Sequence, residues 1–329
     1  MQQPSPLKQI SLVPGAASTT NLGFGTTSMM GLPATRDRLG LLEGAFETGI
    51  RHFDTAPYYG YGEAERVLGK FLTRRRDQVT ITTKYGIQVP TVLKARWVNL
   101  LARRLLQLMP FMRKALSRQA QSMSTKCVFN PAEARKSLDQ SLAALKTDYV
   151  DLFLLHEPTF ADAASDEIHS FLEDELQRGR IRAFGCGGDY RVIQSIATAE
   201  LPTAKWVQFE DNVLQRNIER IRPDGGCCIT FGSFKALSAL TQWLESVPGR
   251  CAQWERELGC DCRSQDAVAG LLQAGSHARN ADGIVLFSTG RLDRIASAAS
   301  IASGNQFSRE QLQKFDELVK SVQLPAQFR

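Results

Sequence analysis

The sequence predicts an α/β fold, a (β/α)8 TIM barrel with a long basic insertion after the third strand, as a single domain over residues 1–329. Eight short apolar runs alternate with helical patterns along the chain. Most of these runs are continuous rather than alternating, which is typical of parallel strands buried on both faces. The 329 residues, 43% of them hydrophobic, are enough to bury the core of a closed barrel.

The predicted strands and helices follow one another in the order that such a barrel needs. The strands are residues 21–25, 51–55, 79–84, 149–156, 181–185, 206–210, 227–232 and 283–288. Asn130 and Pro131 predict a helix start, and Gly179 predicts a helix end. An open doubly wound sheet is the alternative, but its glycine fingerprint is incomplete in both "GFGTTS" (23–28) and "GCGGDY" (185–190).

Charge and cysteine usage limit the function classes. The net charge is +6, but residues 88–126 hold eight Lys or Arg and no acid, and subtracting this +8 leaves −2 elsewhere. This distribution does not predict a nucleic-acid interface. The seven cysteines and four histidines lack zinc-ligand spacing, so we predict free thiols, no metal and a cytoplasmic protein. Neither a membrane span nor a secretory signal is predicted.

The basic segment, residues 88–126, is predicted to be an amphipathic insertion at the mouth of the barrel. Apolar residues such as Trp97 and Leu101 lie broadly on one helical side, opposite Arg96, Arg103 and Arg104. Three interpretations stay open. The segment is a lid packed on its own barrel, a lid that helps bind an anionic substrate, or a contact to an acidic partner or membrane surface through residues 89–126.

Four polar residues stand at or just after predicted strand ends, where a barrel gathers its functional groups. Asp54 ends the second strand, Tyr59 follows it, Lys84 ends the third and His156 ends the fourth. A phenol is a weak acid, with an ordinary pKa of about 10, and a neighbouring ammonium stabilises its phenolate. An aspartate holds that ammonium, and a histidine helps to move a proton. The set suits protonation of a carbonyl oxygen while a nicotinamide cofactor delivers hydride.

Longer motifs around these residues resemble the aldo-keto reductase superfamily. They are "GIRHFDTAPYYGYGEAERVLG", "ITTKYG", "LKTDYVDLFLLHEP" and "GRIRAFGCG", with "VQFEDNVLQR" and "GIVLFSTGR" toward the C-terminus. The resemblance implies a barrel enzyme that reduces an aldehyde or ketone to an alcohol with NAD(P)H. It implies that Asp54, Tyr59, Lys84 and His156 are the catalytic residues, with Tyr59 as the general acid.

The resemblance also implies a cofactor site and a preference for NADPH over NADH. Arg294 matches a position that grips the 2′-phosphate, and Phe231 offers an aromatic face for the nicotinamide. The full set is Gly25, Thr26, Gln208, Phe231, Gly232, Ser233, Ser288, Thr289, Arg291 and Arg294. Two places depart from the family pattern. Gly187 and Gly188 replace a Ser-Asn pair that binds the carboxamide, and Asp211 replaces a stacking tyrosine, so both changes put cofactor affinity in question.

The substrate itself is not specified by the sequence. Met29, Met30, Tyr58 and Tyr85 lie on loops at the predicted mouth and predict an apolar and phenolic pocket for a small carbonyl compound. The same four catalytic groups serve the reverse reaction, so an NAD(P)+-dependent sugar or alcohol dehydrogenase stays open. A weakly active barrel that senses a nucleotide is the further alternative. We predict a monomer or weak oligomer.

Overall fold

Eight parallel strands close into a barrel in the computed structural model, which describes residues 6–13, 18–87, 128–221, 223 and 225–322. Each strand pairs with its neighbours in chain order, and the last strand closes the barrel onto the first. The predicted TIM barrel is therefore confirmed. Its strands are β3 (Leu22–Gly25), β4 (His52–Asp54), β5 (Thr80–Tyr85), β6 (Leu152–His156), β7 (Phe184–Gly188), β8 (Trp206–Glu210), β9 (Cys227–Phe231) and β10 (Ile284–Phe287).

A short antiparallel hairpin precedes the barrel and was not predicted from the sequence. It consists of β1 (Gln9–Ile10) and β2 (Thr19–Thr20). Ile10, Leu12 and Val13 belong to one buried cluster with residues of β6, β9 and β10, and Trp206 Nε1 donates to the Leu12 carbonyl at 2.7 Å. The hairpin therefore packs on the N-terminal end of the barrel, and the C-terminal ends of the strands form the mouth.

Helices surround the barrel between successive strands. They are α1 (Thr35–Glu47), α2 (Glu63–Leu72), α3 (Pro131–Leu145), α4 (Phe160–Ala163), α5 (Asp166–Gln177), α6 (Tyr190–Thr198), α7 (Leu237–Glu245), α8 (Arg250–Leu258), α9 (Gln265–Arg279), α10 (Leu292–Ala302) and α11 (Arg309–Lys320). Asn130 caps α3 as predicted, accepting from the Glu133 backbone N–H at 2.9 Å. In the described part of the β8–β9 connection, only a 3-10 turn, Asn217–Arg220, stands in place of a helix.

One strand lies three residues later than predicted. We placed the fifth strand at 181–185, and β7 covers Phe184–Gly188. Residues 184–188 contain three glycines, which weaken their strand propensity and favoured a strand at 181–185. The packing reverses that preference, because a Cβ at Gly185 would lie 1.8 Å from the Trp206 carbonyl oxygen. Glycine at 185 is therefore what lets β8 approach.

The predicted basic insertion, residues 88–126, lies outside the described residues. The chain on either side of it is at the mouth. Tyr85 donates to the Val128 carbonyl at 3.0 Å, and its ring meets the Phe129 ring edge-on with 5.3 Å between centroids. A Cβ at Gly86 would lie 2.1 Å from the His156 carbonyl oxygen. Within the described residues, no helix is both long and apolar enough to cross a membrane.

Candidate active site

A buried lysine is the centre of the group of polar residues at the mouth. Lys84 Nζ lies 2.7 Å from each carboxylate oxygen of Asp54 and 3.0 Å from the Thr55 carbonyl oxygen. The same ammonium lies 3.5 Å from the Tyr59 hydroxyl. On the neighbouring strands β4 and β5, Asp54 is paired with Thr82, and Lys84 is two residues further along β5. Parallel strand pairing thus brings Lys84 close to Asp54, although thirty positions separate them in the sequence. Both side chains are almost fully buried.

The turn after β4 directs Tyr59 toward this lysine. Tyr59 donates its backbone N–H to the Ala56 carbonyl at 3.0 Å and begins a 3-10 turn. Gly60, Tyr61 and Gly62 in this turn have φ values of 58°, 59° and 83°. Glycine adopts such left-handed conformations without the steric cost of a side chain. The glycine spacing of "YGYG" therefore allows the chain to reverse and enter α2 while Tyr59 stays at the mouth.

Burial and charge set the protonation states of Lys84 and His156. Burial alone lowers the pKa of Lys84, but Asp54 and Tyr59 outweigh it, so the net pKa is raised and the lysine stays charged. Burial, together with the Lys84 charge, lowers the pKa of His156 to about 3. The His156 ring meets the Tyr59 ring edge-on at 6.3 Å. His156 is therefore a neutral imidazole beside the phenol throughout the neutral pH range.

Gln208 connects this group to the fifth and sixth barrel strands. Its Nε2 donates to Asp54 Oδ2 at 2.8 Å. The side-chain amide has one carbonyl oxygen and one NH2 group, so this bond uses the NH2 end and orients Oε1 away from the carboxylate. A Cβ at Gly187 would lie 3.3 Å from Gln208 Oε1. The oxygen therefore faces the strand end where the sequence carries glycines.

The Asp211 side chain is buried and bonds to other parts of the protein instead of facing the mouth. It is 2% exposed, accepts from the Ile218 backbone N–H at 3.1 Å and lies 3.3 Å from Arg279 Nη2. The arginine side chain is itself only 10% exposed. The carboxylate therefore joins the 3-10 turn after β8 to the end of α9. This explains physically why an aspartate stands where the family pattern has an aromatic residue.

The loops after β3 and β10 are tied together by the predicted cofactor residues. Ser288 Oγ donates to the Gly25 carbonyl at 2.7 Å and accepts from the Ser28 backbone N–H at 3.0 Å. Thr26 Oγ1 donates to Thr55 Oγ1 at 3.1 Å. Gly25, Thr26 and Ser288 thus form one rim of the mouth, beside Asp54.

The remaining predicted cofactor residues lie after β9 and β10. Gly232 has φ 94°, and Ser233 after it is buried. Thr289 Oγ1 accepts from the Arg291 backbone N–H at 3.2 Å, and Arg291 Nε lies 3.1 Å from Asp293 Oδ1. Arg294 is exposed in the first turn of α10. Phe231 is half-buried at the end of β9.

The predicted pocket residues differ in burial. Met29 is fully buried in the main hydrophobic cluster, and Met30 packs against that cluster from a half-buried position. Tyr85 is 3% exposed, whereas Tyr58 is half-buried and meets the Tyr61 ring edge-on at 6.3 Å. The packing gives Met29 and Tyr85 core positions. A substrate pocket formed by these four residues stays a prediction.

Two polar groups next to the site were not identified from the sequence. Thr55 contributes its carbonyl oxygen to Lys84 and its hydroxyl to Thr26. Glu157 follows His156 and has φ 55°, unusual for a residue with a side chain. Glu157 could have been identified from the sequence, because it is a charged residue directly after the histidine that ends a predicted strand. Nothing in the sequence singled out Thr55, because a backbone carbonyl has no residue signature.

The family model described as "Aldo/keto reductase family" matches residues 21–223. This match covers more than half of the chain and includes Asp54, Tyr59, Lys84 and His156. The chain, with its barrel and its lysine-centred polar group, therefore belongs to the aldo/keto reductase family.

Two curated relatives match parts of this chain. Pyridoxal 4-dehydrogenase of Microbacterium luteolum is 44% identical over 72 residues, 21% of each chain. D-threo-aldose 1-dehydrogenase of Pseudomonas sp is 31% identical over 150 residues, 45% of this chain and 42% of the relative. The chain matches 21% to 56% of the length of the first three curated relatives.

An aldo-keto reductase from Klebsiella pneumoniae, solved in complex with NADPH, superposes with a TM-score of 0.64. The two chains are 19% identical, and the alignment covers 96% of this chain and 97% of that one. At this identity the similarity establishes the barrel fold. It does not by itself assign a substrate or a cofactor to this chain.

Proposed function

We propose that this protein reduces an aldehyde or ketone to an alcohol, with Tyr59 as the general acid and NADPH as the hydride donor. The observation that carries the proposal is the position of the Lys84 ammonium. It is held by both oxygens of Asp54 at 2.7 Å and lies 3.5 Å from the Tyr59 hydroxyl. A buried cation beside a phenol favours loss of the phenolic proton, which is the proton that a reduced carbonyl oxygen must receive.

The roles of the residues follow from their surroundings. Tyr59 donates its proton to the substrate oxygen, and Lys84 offsets the negative charge left on the phenolate. Asp54, fixed by Lys84 and Gln208, holds the ammonium in place. Neutral His156 beside the Tyr59 ring orients the substrate oxygen by a hydrogen bond without adding a second positive charge. A bound nicotinamide cofactor supplies the hydride to the carbonyl carbon.

The residues at the mouth fit a nicotinamide cofactor in their donor and acceptor chemistry. Gln208 Oε1 is available as an acceptor for an amide N–H, since the NH2 group is already bound to Asp54. The left-handed turn at Gly232 leads into the short 3-10 turn that starts at Ser233. Exposed Arg294 is suited to a phosphate because its guanidinium can donate two parallel hydrogen bonds.

Replacing Tyr59 by Phe tests the proposal most directly, because only the hydroxyl is removed. We expect turnover of aldehydes and ketones with NADPH to fall by at least ~100-fold, the scale of general acid–base catalysis. Binding of NADPH, followed by its fluorescence, should change little. The matched control is Tyr61→Phe, which removes a phenol from the same turn. A Tyr59→Phe variant as active as Tyr61→Phe would overturn the mechanism.

Cofactor choice is tested at Arg294. An Arg294→Ala variant should lose roughly 1.5–3 kcal/mol of NADPH binding, the scale of a hydrogen bond to a charged group, while NADH binding stays unchanged. Arg291→Ala is the control, since Asp293 already binds the Arg291 guanidinium and its loss should cost less. Equal weakening of NADPH and NADH in the Arg294 variant would make this arginine a structural residue and remove the basis for NADPH.

Oxidation of an alcohol or sugar lactol is the second candidate function. It is supported by the relatives named pyridoxal 4-dehydrogenase and D-threo-aldose 1-dehydrogenase. The same four residues serve it, with the Tyr59 phenolate accepting the proton instead of donating it. A screen of aldehydes, ketones and aldoses with NADPH and NADP+ separates the two directions by the ratio of their rates.

A further inference from the structure

Glu157 has a strained backbone at the edge of the candidate active site. It directly follows His156. Its φ of 55° is in the left-handed region of backbone conformation, which residues other than Gly and Asn rarely adopt. Two hydrogen bonds hold it there. Its backbone N–H donates to the Gly187 carbonyl at 2.7 Å, and its Oε2 accepts from the Asp189 backbone N–H at 3.2 Å. Strain of this kind at a strand end is a reason to look for function.

The Glu157 side chain fills the volume that a side chain at position 188 would need. A Cβ at Gly188 would lie 2.9 Å from Glu157 Oε2, 3.0 Å from its Cα and 3.1 Å from its Cδ. These contacts are too close for a carbon atom to fit without displacing the glutamate. Gly188 and Glu157 are therefore complementary, and the carboxylate stands in place of the side chain that Gly188 lacks.

The surroundings leave this carboxylate as an ionic hydrogen-bond acceptor. Among the described residues, Glu157 makes no ion pair, and its Oε1 accepts no hydrogen bond. The Lys84 ammonium is bound to Asp54, and His156, the residue before Glu157, is neutral. Asp189 caps the start of α6, its Oδ1 accepting from the Arg191 backbone N–H at 2.9 Å, and the backbone N–H of Asp189 itself donates to Glu157 Oε2.

A second acceptor stands on the next strand. Gly187 is paired with His156 on one side and with Gln208 on the other. A Cβ added at Gly187 would lie 3.3 Å from Gln208 Oε1. This oxygen accepts no hydrogen bond from the described residues. The end of β7 is therefore bordered by the amide oxygen of Gln208 and the carboxylate of Glu157.

We propose that Glu157 is a cofactor-binding residue that accepts a hydrogen bond from the carboxamide NH2 of the nicotinamide, in place of the side chains absent at Gly187 and Gly188. This inference rests on the proposed function. An amide NH2 is a donor for both Glu157 and Gln208 Oε1. Because Glu157 is anionic, it also distinguishes the two cofactor forms, since the oxidised nicotinamide ring is positively charged and the reduced ring is neutral. Glu157 thus strengthens NADP+ binding relative to NADPH.

The test compares Glu157→Gln with the unchanged protein in direct binding experiments. Glutamine keeps the size of the side chain and an acceptor oxygen but removes the charge. We expect the dissociation constant for NADP+, measured by calorimetry, to rise by about tenfold, while that for NADPH, measured by fluorescence, rises less than about threefold. The loss shared by both forms follows from ionic hydrogen bonds being roughly twice as strong as neutral ones. The larger loss for NADP+ follows from the positive charge of its ring.

A second set of variants tests whether Glu157 and position 188 share one volume. Gly188→Asn alone should weaken binding of both cofactor forms, because the new side chain meets Glu157. In a Glu157→Gly background the same Asn has room, and binding of both forms should recover with a smaller preference for NADP+. Glu200 is exposed and has φ 53°, so Glu200→Gly is the matched control for the stability gained by glycine in the left-handed region.

The outcomes separate this inference from the proposed function. If Glu157→Gln changes neither the dissociation constants nor their ratio, or raises only the KM of the carbonyl substrate, Glu157 does not bind the carboxamide and the inference fails alone. If the unchanged protein binds neither NADP+ nor NADPH, the inference and the proposed function fail together. If both forms bind normally and Tyr59→Phe stays active, the proposed mechanism fails while the Glu157 result stands.

Discussion

The two halves of the mouth are built differently. On β4, on the turn after it and on β5, Asp54, Tyr59 and Lys84 match the family pattern, and Lys84 contacts the other two directly. On β7 and β8, the pattern changes at Gly187, Gly188 and Asp211. Asp211 has become part of the internal packing with Arg279, and the Gly188 side is filled by Glu157.

This difference follows from what each half must hold. The half that we propose to donate the proton, called here the proton-donating half, contains the buried Lys84–Asp54 ion pair, so removal of one partner leaves the other unpaired in a buried site. The half that we propose to hold the nicotinamide forms hydrogen bonds to a ligand. More than one arrangement of donors and acceptors can bind the same ligand. We therefore expect substitutions at β7 and β8 to be tolerated where compensating contacts arise, and substitutions at β4 and β5 not to be tolerated.

The comparison is tested most severely at Lys84. A Lys84→Met variant keeps an unbranched side chain, one atom shorter, but leaves Asp54 without its cation. We expect turnover to fall by ~100-fold or more, because the phenol of Tyr59 loses its neighbouring charge. The free energy of unfolding should fall by about 3–5 kcal/mol, the cost of leaving one partner of a buried ion pair. Steady-state kinetics and chemical denaturation measure the two effects.

Thr83→Val is the matched control for this change. Thr83 is the preceding residue of β5, so its side chain lies on the other face, where its hydroxyl donates to Glu65 Oε1 at 2.7 Å. We expect this variant to change stability slightly and turnover by less than about threefold, the effect of losing a hydrogen bond away from the chemistry. If Lys84→Met retains activity like that of Thr83→Val, the proton-donating half does not depend on this charge.

The other half is tested by breaking the Asp211–Arg279 pair. Because Asp211 is 2% exposed, Asp211→Ala should lower the free energy of unfolding by about 3 kcal/mol. Adding Arg279→Ala should recover part of that loss, with an interaction energy of about 0.5–3 kcal/mol in a double-mutant cycle. Additive effects of the two substitutions would mean that the pair contributes nothing as a pair.

Asp211→Tyr sharpens the same comparison, since it places an aromatic residue where the family pattern has one. We expect the tyrosine to destabilise the protein as much as alanine does, and cofactor binding not to become tighter, because the position is packed against α9. A stable Asp211→Tyr variant with tighter NADPH binding would show that Asp211 belongs to the cofactor site instead.

Strand-end residues could be predicted from the sequence, but their compensating contacts could not. Asp54, Lys84 and His156 are at the ends of apolar runs, and barrel geometry alone brings such ends together. Glu157 has its position through a left-handed backbone conformation and a glycine on another strand, and neither is visible in local sequence. The shift of β7 has the same cause, because Gly185 is required by the Trp206 backbone on the neighbouring strand.

The N-terminal hairpin shows a similar limit. Its strands are two residues each, too short to give a periodic pattern, and Leu12 and Val13 are buried only because the barrel has an open lower end for them to cover. The 3-10 turn between β8 and β9 was also not predicted, because the barrel pattern favours a helix there.

The smallest expected effect concerns a carboxyl behind the proton-donating half. Glu65 of α2 is 3% exposed and, among the described residues, has no ion pair; it accepts from Thr83 Oγ1. Burial raises its pKa above the ordinary value, more than the Thr83 hydrogen bond and the Lys84 charge lower it. This half of the barrel therefore holds two buried carboxyls of opposite character. Asp54 is paired with a cation, whereas burial raises the pKa of Glu65.

Replacing Glu65 by Gln should therefore have an effect that depends on pH. A carboxyl whose pKa is raised by folding stabilises the folded state most below its unfolded pKa, and this contribution is lost as pH rises through the folded pKa. Gln keeps an acceptor for Thr83 and does not titrate. We expect the variant to gain stability relative to the unchanged protein as pH rises from about 4 to 8, by an amount on the order of one hydrogen bond, about 1 kcal/mol.

Thermal unfolding across that range measures the difference, and Glu310→Gln at the exposed start of α11 is the control. A difference that does not change with pH would mean that folding does not raise the pKa of Glu65, and that the contrast between the two carboxyls does not exist.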